Sequence, residues 1–358
     1  MQKTGVANLP LHSGKAPHWL FKRMVALSRA IVELMIIELG KEELLRRLSD
    51  PYWFQCFGCV LGFDWHSSGV TTTVTGALKE ALRGVEHEFG LFIAGGKAKR
   101  ALQTPQEIIN YAEYSGFTPE PLIYASRLSA KVDNVAVQDG FSLYHHTIIF
   151  TSEGHWCVIQ QGMNEKLHVA RRYHWLSFTL KSFVEEPHEA VCCDLKIPVL
   201  NFTAKEASDL RKASTILSCE NPEKIIKEMK KIKELNLPKR HIVSFSDINP
   251  ESFYKIFLET YEKQPSDFES LLEIRGVGAK TLRALALTCE LLYGTPLSFK
   301  DPARFSFAHG GKDRTPYPVN ITLYDRTIQI LKKAIEEAKI QRTEKVAALR
   351  RLAKITQL

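Results

Sequence analysis

"LIYASRLSAKVDNVAVQDGFSLYHHTIIFTSEGHWCVIQQGM", residues 122–163, is where the hydrophobic pattern changes period. Upstream, in residues 17–49, apolar side chains recur at helical spacing as Trp19, Met24, Leu27, Ile31, Leu34 and Ile37, and a short charged helix is expected after Gly40. Within 122–163 the chain instead shows strand-like runs rich in Ile, Val, Tyr and Phe. Asp139-Gly140 and Glu153-Gly154 bound these runs, and both dipeptides read as hairpin turns. The expectation is a small antiparallel sheet among helices. One helix covers 104–115, and another follows the Thr-rich entry "SSGVTTTVTGALKEALRGVEHEF". Between them "FGLFIAGGKAKRAL" is an apolar run that breaks at Gly95-Gly96 and continues as the start of a basic helix.

Beyond the sheet, "EEPHEAVCCDLKIPVL" (185–200) has no clear period and reads as a linker. After it nearly everything is helical in pattern: 204–218, 221–234, 250–262, 266–274, 279–293 and 321–340, separated by Asn-Pro, Leu-Pro and Gly-Thr-Pro breakers. The closing "QRTEKVAALRRLAKITQL" is a basic amphipathic stretch. The fold class is therefore α+β. A mixed α/β domain with a small antiparallel sheet is expected over 1–190, and an all-α domain over 200–358.

Charge divides along the same line. Residues 1–200 hold 20 Lys and Arg against 20 Asp and Glu, whereas 201–358 hold 28 against 20, so the whole excess of +8 sits in the second half. A polyanion-binding half joined to a neutral one has this profile, as does a solvated basic face. A membrane span is not expected, because the longest apolar stretch, "MVALSRAIVELMIIEL" (24–39), is interrupted by Ser28, Arg29 and Glu33. The N-terminus lacks the apolar core of a signal peptide, which makes the cytoplasm the expected compartment. Seven cysteines form no disulfide framework. The Cys56/Cys59 pair has aromatic and apolar flanks and no second pair at zinc-finger spacing, so a structural role is expected.

"LLEIRGVGAKTLRALALTCELLYG" (271–294) carries Gly276-Val277-Gly278-Ala279-Lys280-Thr281. A nucleotide phosphate loop needs four residues between its glycines and a preceding strand. Here one residue separates them and the preceding segment is helical in period, so no nucleotide cofactor is expected. A helix, a tight Gly-Val-Gly turn and a second helix fit each position. In that arrangement Val277 plugs the gap between helices, and the free amides at the second N-terminus, with Lys280 and Thr281, face a phosphate. This pattern resembles the helix-hairpin-helix DNA-binding motif. The resemblance implies binding to the DNA backbone without sequence choice.

In helix-hairpin-helix DNA glycosylases a glycine, a proline and then a catalytic aspartate follow the hairpin. Gly294, Pro296 and Asp301 are similar in spacing. By that resemblance Asp301 is a catalytic candidate, although Lys300 and Pro302 replace the usual small neighbours and no four-cysteine cluster is present. A helix N-cap before Pro302 is the alternative role.

Polar groups gather in "HSGKAP" (12–17), "GFDWHSSG" (62–69), "AGGKAKR" (94–100), "LYHHT" (143–147), "WCVIQQGMN" (156–164), "ARRYHW" (170–175) and "FAHGGKDRTPYPV" (307–319). With these the chain resembles, over essentially its whole length, an uncharacterised prokaryotic family common among thermophiles and catalogued as a domain of unknown function. Asp64, His66, Asp139, His145 and His146 are the candidates for catalysis, with Asp64, His66 and Asp139 as ligands of Mg²⁺ or Mn²⁺. Consecutive strand residues face opposite ways, so at most one of His145 and His146 joins such a set. Arg171, Arg172, Lys97, Lys99 and Lys312 are candidate phosphate contacts. The leading expectation is a sequence-independent, structure-selective, metal-assisted DNA nuclease in repair. A glycosylase using Asp301 and a non-catalytic DNA-binding scaffold are the alternatives.

Overall fold

The structure is a computed structural model and describes residues 16–63, 68–193, 195–234, 249–303 and 342–356, with 329, 332, 333, 335 and 336 in addition. Helices α1 (His18–Leu39), α2 (Lys41–Ser49), α3 (Pro51–Leu61), α4 (Gly69–Leu82) and the short α5 (Glu86–Phe89) come first. Gly40, at φ 84°, breaks α1 from α2. Asp50 caps α3 by accepting from the amides of Tyr52 (2.9 Å) and Trp53 (3.2 Å) ahead of Pro51. Helix α3 is buried along nearly its whole length, and its Cys56 and Cys59 are free, buried thiols. Burial pushes the Cys56 thiol well above its ordinary range, consistent with a structural pair.

Next come β1 (Leu91–Lys97), α6 (Lys99–Leu102), α7 (Thr104–Ser115), α8 (Glu120–Lys131), a π-helical turn over 132–136, and β2 (Val137–Gln138). The strands β3 (Ser142–Thr151), β4 (Trp156–Asn164), β5 (Val169–Leu176), β6 (Ala190–Cys192) and β7 (Leu200–Asn201) follow. The main sheet is five-stranded, in the order β1-β3-β4-β5-β6, with every neighbouring pair antiparallel. The Glu153-Gly154 turn joins β3 to β4 as expected, with Gly154 at φ 87° and Phe150 opposite Trp156. Two other expectations are corrected. The Asp139-Gly140 turn is not a hairpin, because β2 pairs with β7 instead of β3. Residues 120–131 are helical: Leu122, Ala125, Leu128 and Ser129 fall on one buried face, and that tertiary burial outweighs the strand-like composition.

Alternation along the strands sends side chains to two cores. Phe92, Ile148, Phe150, Val158, Tyr173 and Trp175 join one with α7, α8 and the helices after β7. Ile93, Ile149, Cys157, Ile159 and Leu176 join the other with α1, α2, α3 and α4. Both faces of the sheet are thus covered, which explains why its strands read as nearly continuous apolar runs. The aperiodic stretch 185–200 contributes the edge strand β6 to this sheet.

The remaining elements are α9 (Ser208–Ser218), α10 (Pro222–Lys233), α11 (Tyr254–Lys263), α12 (Phe268–Glu273), α13 (Ala279–Tyr293) and α14 (Arg342–Thr356). The first core continues through α9 to α13, by way of Leu210, Met229, Phe257, Leu272, Val277 and Leu285, as far as Ala303, whereas Ala348 and Leu352 of α14 join the second core. After α13 the chain runs back beside β7, with the Asn201 amide donating to the Ser298 carbonyl at 2.9 Å.

An ion triad closes that junction. The Arg171 guanidinium on β5 donates to Asp139 at 2.9 Å and to Asp301 at 2.8 Å, and all three side chains are buried or nearly so. Burial opposes the charge on Arg171, but the Asp139 and Asp301 carboxylates outweigh it and hold the guanidinium protonated. Replacing it in Arg171→Met strands two buried carboxylates. Urea unfolding should show a loss of ~3–5 kcal/mol, the usual result of removing one partner from a buried ion pair; unchanged stability would contradict the triad.

Candidate functional site

A cleft of about 1090 Å³ opens where β1 ends and β3 begins. α6, α7 and α8 wall it, and Leu272 and Glu273 of α12 close its far side. Two backbone features shape it. Gly95, at φ 100°, passes so close to β3 that a Cβ there would lie 2.3 Å from the His146 carbonyl oxygen. Tyr144 is the extra residue of a β-bulge, since Leu143 faces Gly162 while His145 already faces Gln161.

His145 and His146 both line the cleft and are both buried, at 2% and 5% exposure. Their ring contacts diverge, as strand alternation requires. His146 Nε2 lies 2.8 Å from Ser126 Oγ on α8, and its Nδ1 lies 2.7 Å from Gln160 Oε1 on β4. Gln160 donates its amide to the Ser129 carbonyl at 3.1 Å and to the Asp133 carboxylate. That arrangement fixes the tautomer: the amide nitrogen must face those two acceptors, so Oε1 faces His146 and Nδ1 carries the proton. Nε2 is therefore a bare acceptor for the Ser126 hydroxyl. Asp133 is in turn held by Trp175 Nε1 at 2.9 Å and by His188.

The His145 ring turns to the other face of the sheet. Its Nε2 lies 3.0 Å from both Thr75 Oγ1 and Thr147 Oγ1. Its Nδ1 is buried with no partner among the described residues. Burial, with His146 and Lys97 nearby, lowers the His145 pKa to about 3. Burial also lowers His146, partly offset by Gln160 and Asp133. Both rings are neutral at physiological pH. The cleft holds cations as well: Arg127 and Lys131 line it, and burial lowers the Lys131 pKa. Exposed Lys97, Lys99 and Arg100 flank its lining residues Ala98 and Ala101, while Glu120 and Glu273 contribute the opposite charge.

The other candidates fall elsewhere. Asp139 is 1% exposed and is engaged by Arg171, by the Tyr173 hydroxyl at 2.6 Å and by the Phe141 amide at 3.0 Å. A guanidinium at that distance does not suit a metal ligand, and among the described residues no three His, Cys, Asp or Glu side chains converge on one point. Asp64, His66 and Lys312 lie outside the described residues. Arg171 and Arg172, expected as phosphate contacts, are both fully buried in β5. Arg172 donates to Gln55 at 2.8 Å and stacks on Phe54. Asp301 accepts from Arg171, from the Ile197 amide at 2.9 Å and from the Ala303 amide at 2.8 Å, so its oxygens are spent inside the protein.

Next to the cleft, residues 274–278 connect α12 to α13. Val277 is fully buried, and Gly276 sits at φ 90° beside Ile256. Gly278 is the N-cap of α13, which has no acidic residue in its first turn. Arg275 and Lys280 are exposed on either side of the turn, and Thr281 is buried beneath it. The family described as protein of unknown function (DUF763) matches residues 5–319. The chain belongs to the DUF763 family. Its matched range takes in the sheet, the cleft and the α12–α13 turn together. No curated protein and no solved structure matches the chain. No described helix is long and apolar enough to cross a membrane.

Ser126, Gln160 and Asp133 were not among the sequence candidates. Adjacent Gln160-Gln161 inside an apolar strand was the available signal, because a buried amide must be matched by partners elsewhere. The neutral state of the histidines has a measurable consequence. The unfolded ring titrates near 6.5, so below that pH the unfolded chain binds protons that the folded protein refuses, and stability falls as pH drops toward 3. In His145→Asn the slope of unfolding free energy against pH between about 6 and 4 should be shallower by up to ~1.4 kcal/mol per pH unit. An identical slope in the variant would refute a neutral, buried His145.

Proposed function

We propose that this protein binds DNA through its backbone, without sequence preference, and hydrolyses phosphodiesters in a structure-selective manner, as in repair. The observation that carries the reading is the adjacency of the α12–α13 turn to the cleft: Glu273 lines the cleft, and the exposed Arg275 and Lys280 follow within seven residues. The α13 N-terminus has a glycine N-cap without a side chain, Thr281 Oγ1 takes only the Gly278 amide at 3.5 Å, and the first turn is free of acidic residues, so its remaining amides and dipole favour a phosphate. Lys97 and Lys99, expected from sequence as phosphate contacts, are exposed beside the cleft. A strand held at residues 275–281 would therefore run past a cationic rim. Assistance by Mg²⁺ or Mn²⁺ remains part of the proposal through Asp64 and His66 alone, since Asp139 is committed to Arg171.

Lys280→Glu should weaken binding of duplex and branched DNA and reduce the slope of log K against log salt by about one phosphate contact, ~0.9. Gly278→Pro should weaken binding too, because Gly278 stands at φ −125°, outside the range proline allows. Fluorescence anisotropy across a salt series measures both, and an unchanged salt slope in the two variants would remove the turn from the interface. Cleavage of labelled branched DNA by the wild type, with and without EDTA, tests the hydrolytic part. Tight binding with no cleavage of any branched, bubble or nicked substrate would reduce the protein to a scaffold.

A further inference from the structure

We propose that Ser126 is a nucleophile for phosphodiesters, activated by His146 and oriented through Gln160 and Asp133; the substrate class rests on the DNA reading above. The geometry is that of an activated hydroxyl. Ser126 Oγ is 2.8 Å from a ring nitrogen whose lone pair faces it, because Gln160 Oε1 holds the proton on the opposite nitrogen at 2.7 Å. Asp133 and the Ser129 carbonyl keep the Gln160 amide from turning over. The imidazole is neutral, so it is able to accept a proton.

Packing by itself does not account for the arrangement. Ser126, at 3% exposure, lines the cleft with His146 instead of lying in a closed core. The His145 ring turns to the other face of the sheet, so the cleft side of this strand is left to His146 and Ser126. The lining cations Arg127 and Lys131, with Lys97 and Lys99 close by, favour an anionic substrate. Leu272 and Glu273 bring the cleft to the start of the α12–α13 turn, where the backbone would be gripped.

In the reaction, Ser126 Oγ attacks phosphorus as its proton passes to His146 Nε2. The P–O bond to the departing sugar oxygen breaks, and that oxygen takes the proton back from His146. The strand is left esterified to Ser126. Water, giving its proton to the same Nε2, then attacks phosphorus; the Ser126–phosphorus bond breaks and the serine oxygen recovers the proton. No oxidant or cofactor is required for the balance.

A fluorophosphonate probe tests the serine without any assumption about DNA. The expected result is one adduct per chain, mapped by mass spectrometry to Ser126 and absent in Ser126→Ala. The labelling rate should fall ~10²–10⁴-fold in His146→Gln, the usual contribution of a general base. Ser126→Ala removes a single oxygen, and circular dichroism with thermal unfolding confirms that both variants fold. No adduct at Ser126 in the wild type, or an unchanged rate in His146→Gln, would overturn the proposal. A second arm follows branched DNA in EDTA. Cleavage with an SDS-resistant protein–DNA adduct, both lost in Ser126→Ala, supports the full assignment. Cleavage that needs Mg²⁺ and is unchanged in Ser126→Ala overturns the nucleophile but leaves the nuclease reading standing. Labelling of Ser126 with no DNA cleavage overturns the phosphodiester assignment together with that reading.

Discussion

Both faces of the five-stranded sheet are covered by helices, so every polar side chain carried on its strands must find its partner inside the protein. β3, β4 and β5 carry an unusual load of such groups: His145, His146, Gln160, Gln161, Arg171, Arg172 and His174 are all buried. Antiparallel pairing sets them side by side, His146 opposite Gln160, and Gln160 opposite Tyr173. The helices then supply partners to several of them. Ser126, Ser129 and the Asp133 turn meet one face, while Thr71, Thr75 and Gln55 meet the other.

The same constraint joins the sheet to the helices after β7. Arg171 is too deeply buried to reach water, and Asp139 alone engages only part of its guanidinium. Asp301, arriving after α13, accepts from the second NH₂ group, and the Leu195 carbonyl shares it at 3.0 Å. A residue that resembles a glycosylase carboxylate thus serves as the far end of an internal pair. The junction also fixes where α12 and α13 lie, which is how an exposed, basic turn comes to stand beside a cleft built from α6, α8 and β3. The turn and the cleft are neighbours because one core runs beneath both.

Much of the fold was legible locally. The Glu153-Gly154 hairpin, the break at Gly40, and the helices at 221–234, 250–262 and 279–293 come from turn chemistry and from spacing that neighbouring residues alone specify. Where local signals conflicted with long-range packing, they misled. Ile123 and Tyr124 look β-forming, but the buried stripe of α8 makes 120–131 a helix; and "ARRYHW", read as a surface of cations and rings, is a central strand. Of the candidate site, His145, His146 and the glycines at 276 and 278 could be picked out, because their chemistry or backbone freedom is intrinsic. Ser126, Gln160 and Asp133 could not, since serine, glutamine and aspartate are common and gain meaning only from the groups that face them.

The α+β class, the positions of most helices and the Gly-Val-Gly turn follow from contacts a few residues apart, and the charge asymmetry from composition alone. Which nitrogen of His146 is bare, which aspartates Arg171 consumes, and that Ser126 meets His146 in the lining of a cleft follow only from long-range packing. These depend on residues 20, 32 and 130 positions apart in the chain meeting in space. Protonation states and ion pairs result from that proximity and from the exclusion of water around it, neither of which is written in local spacing.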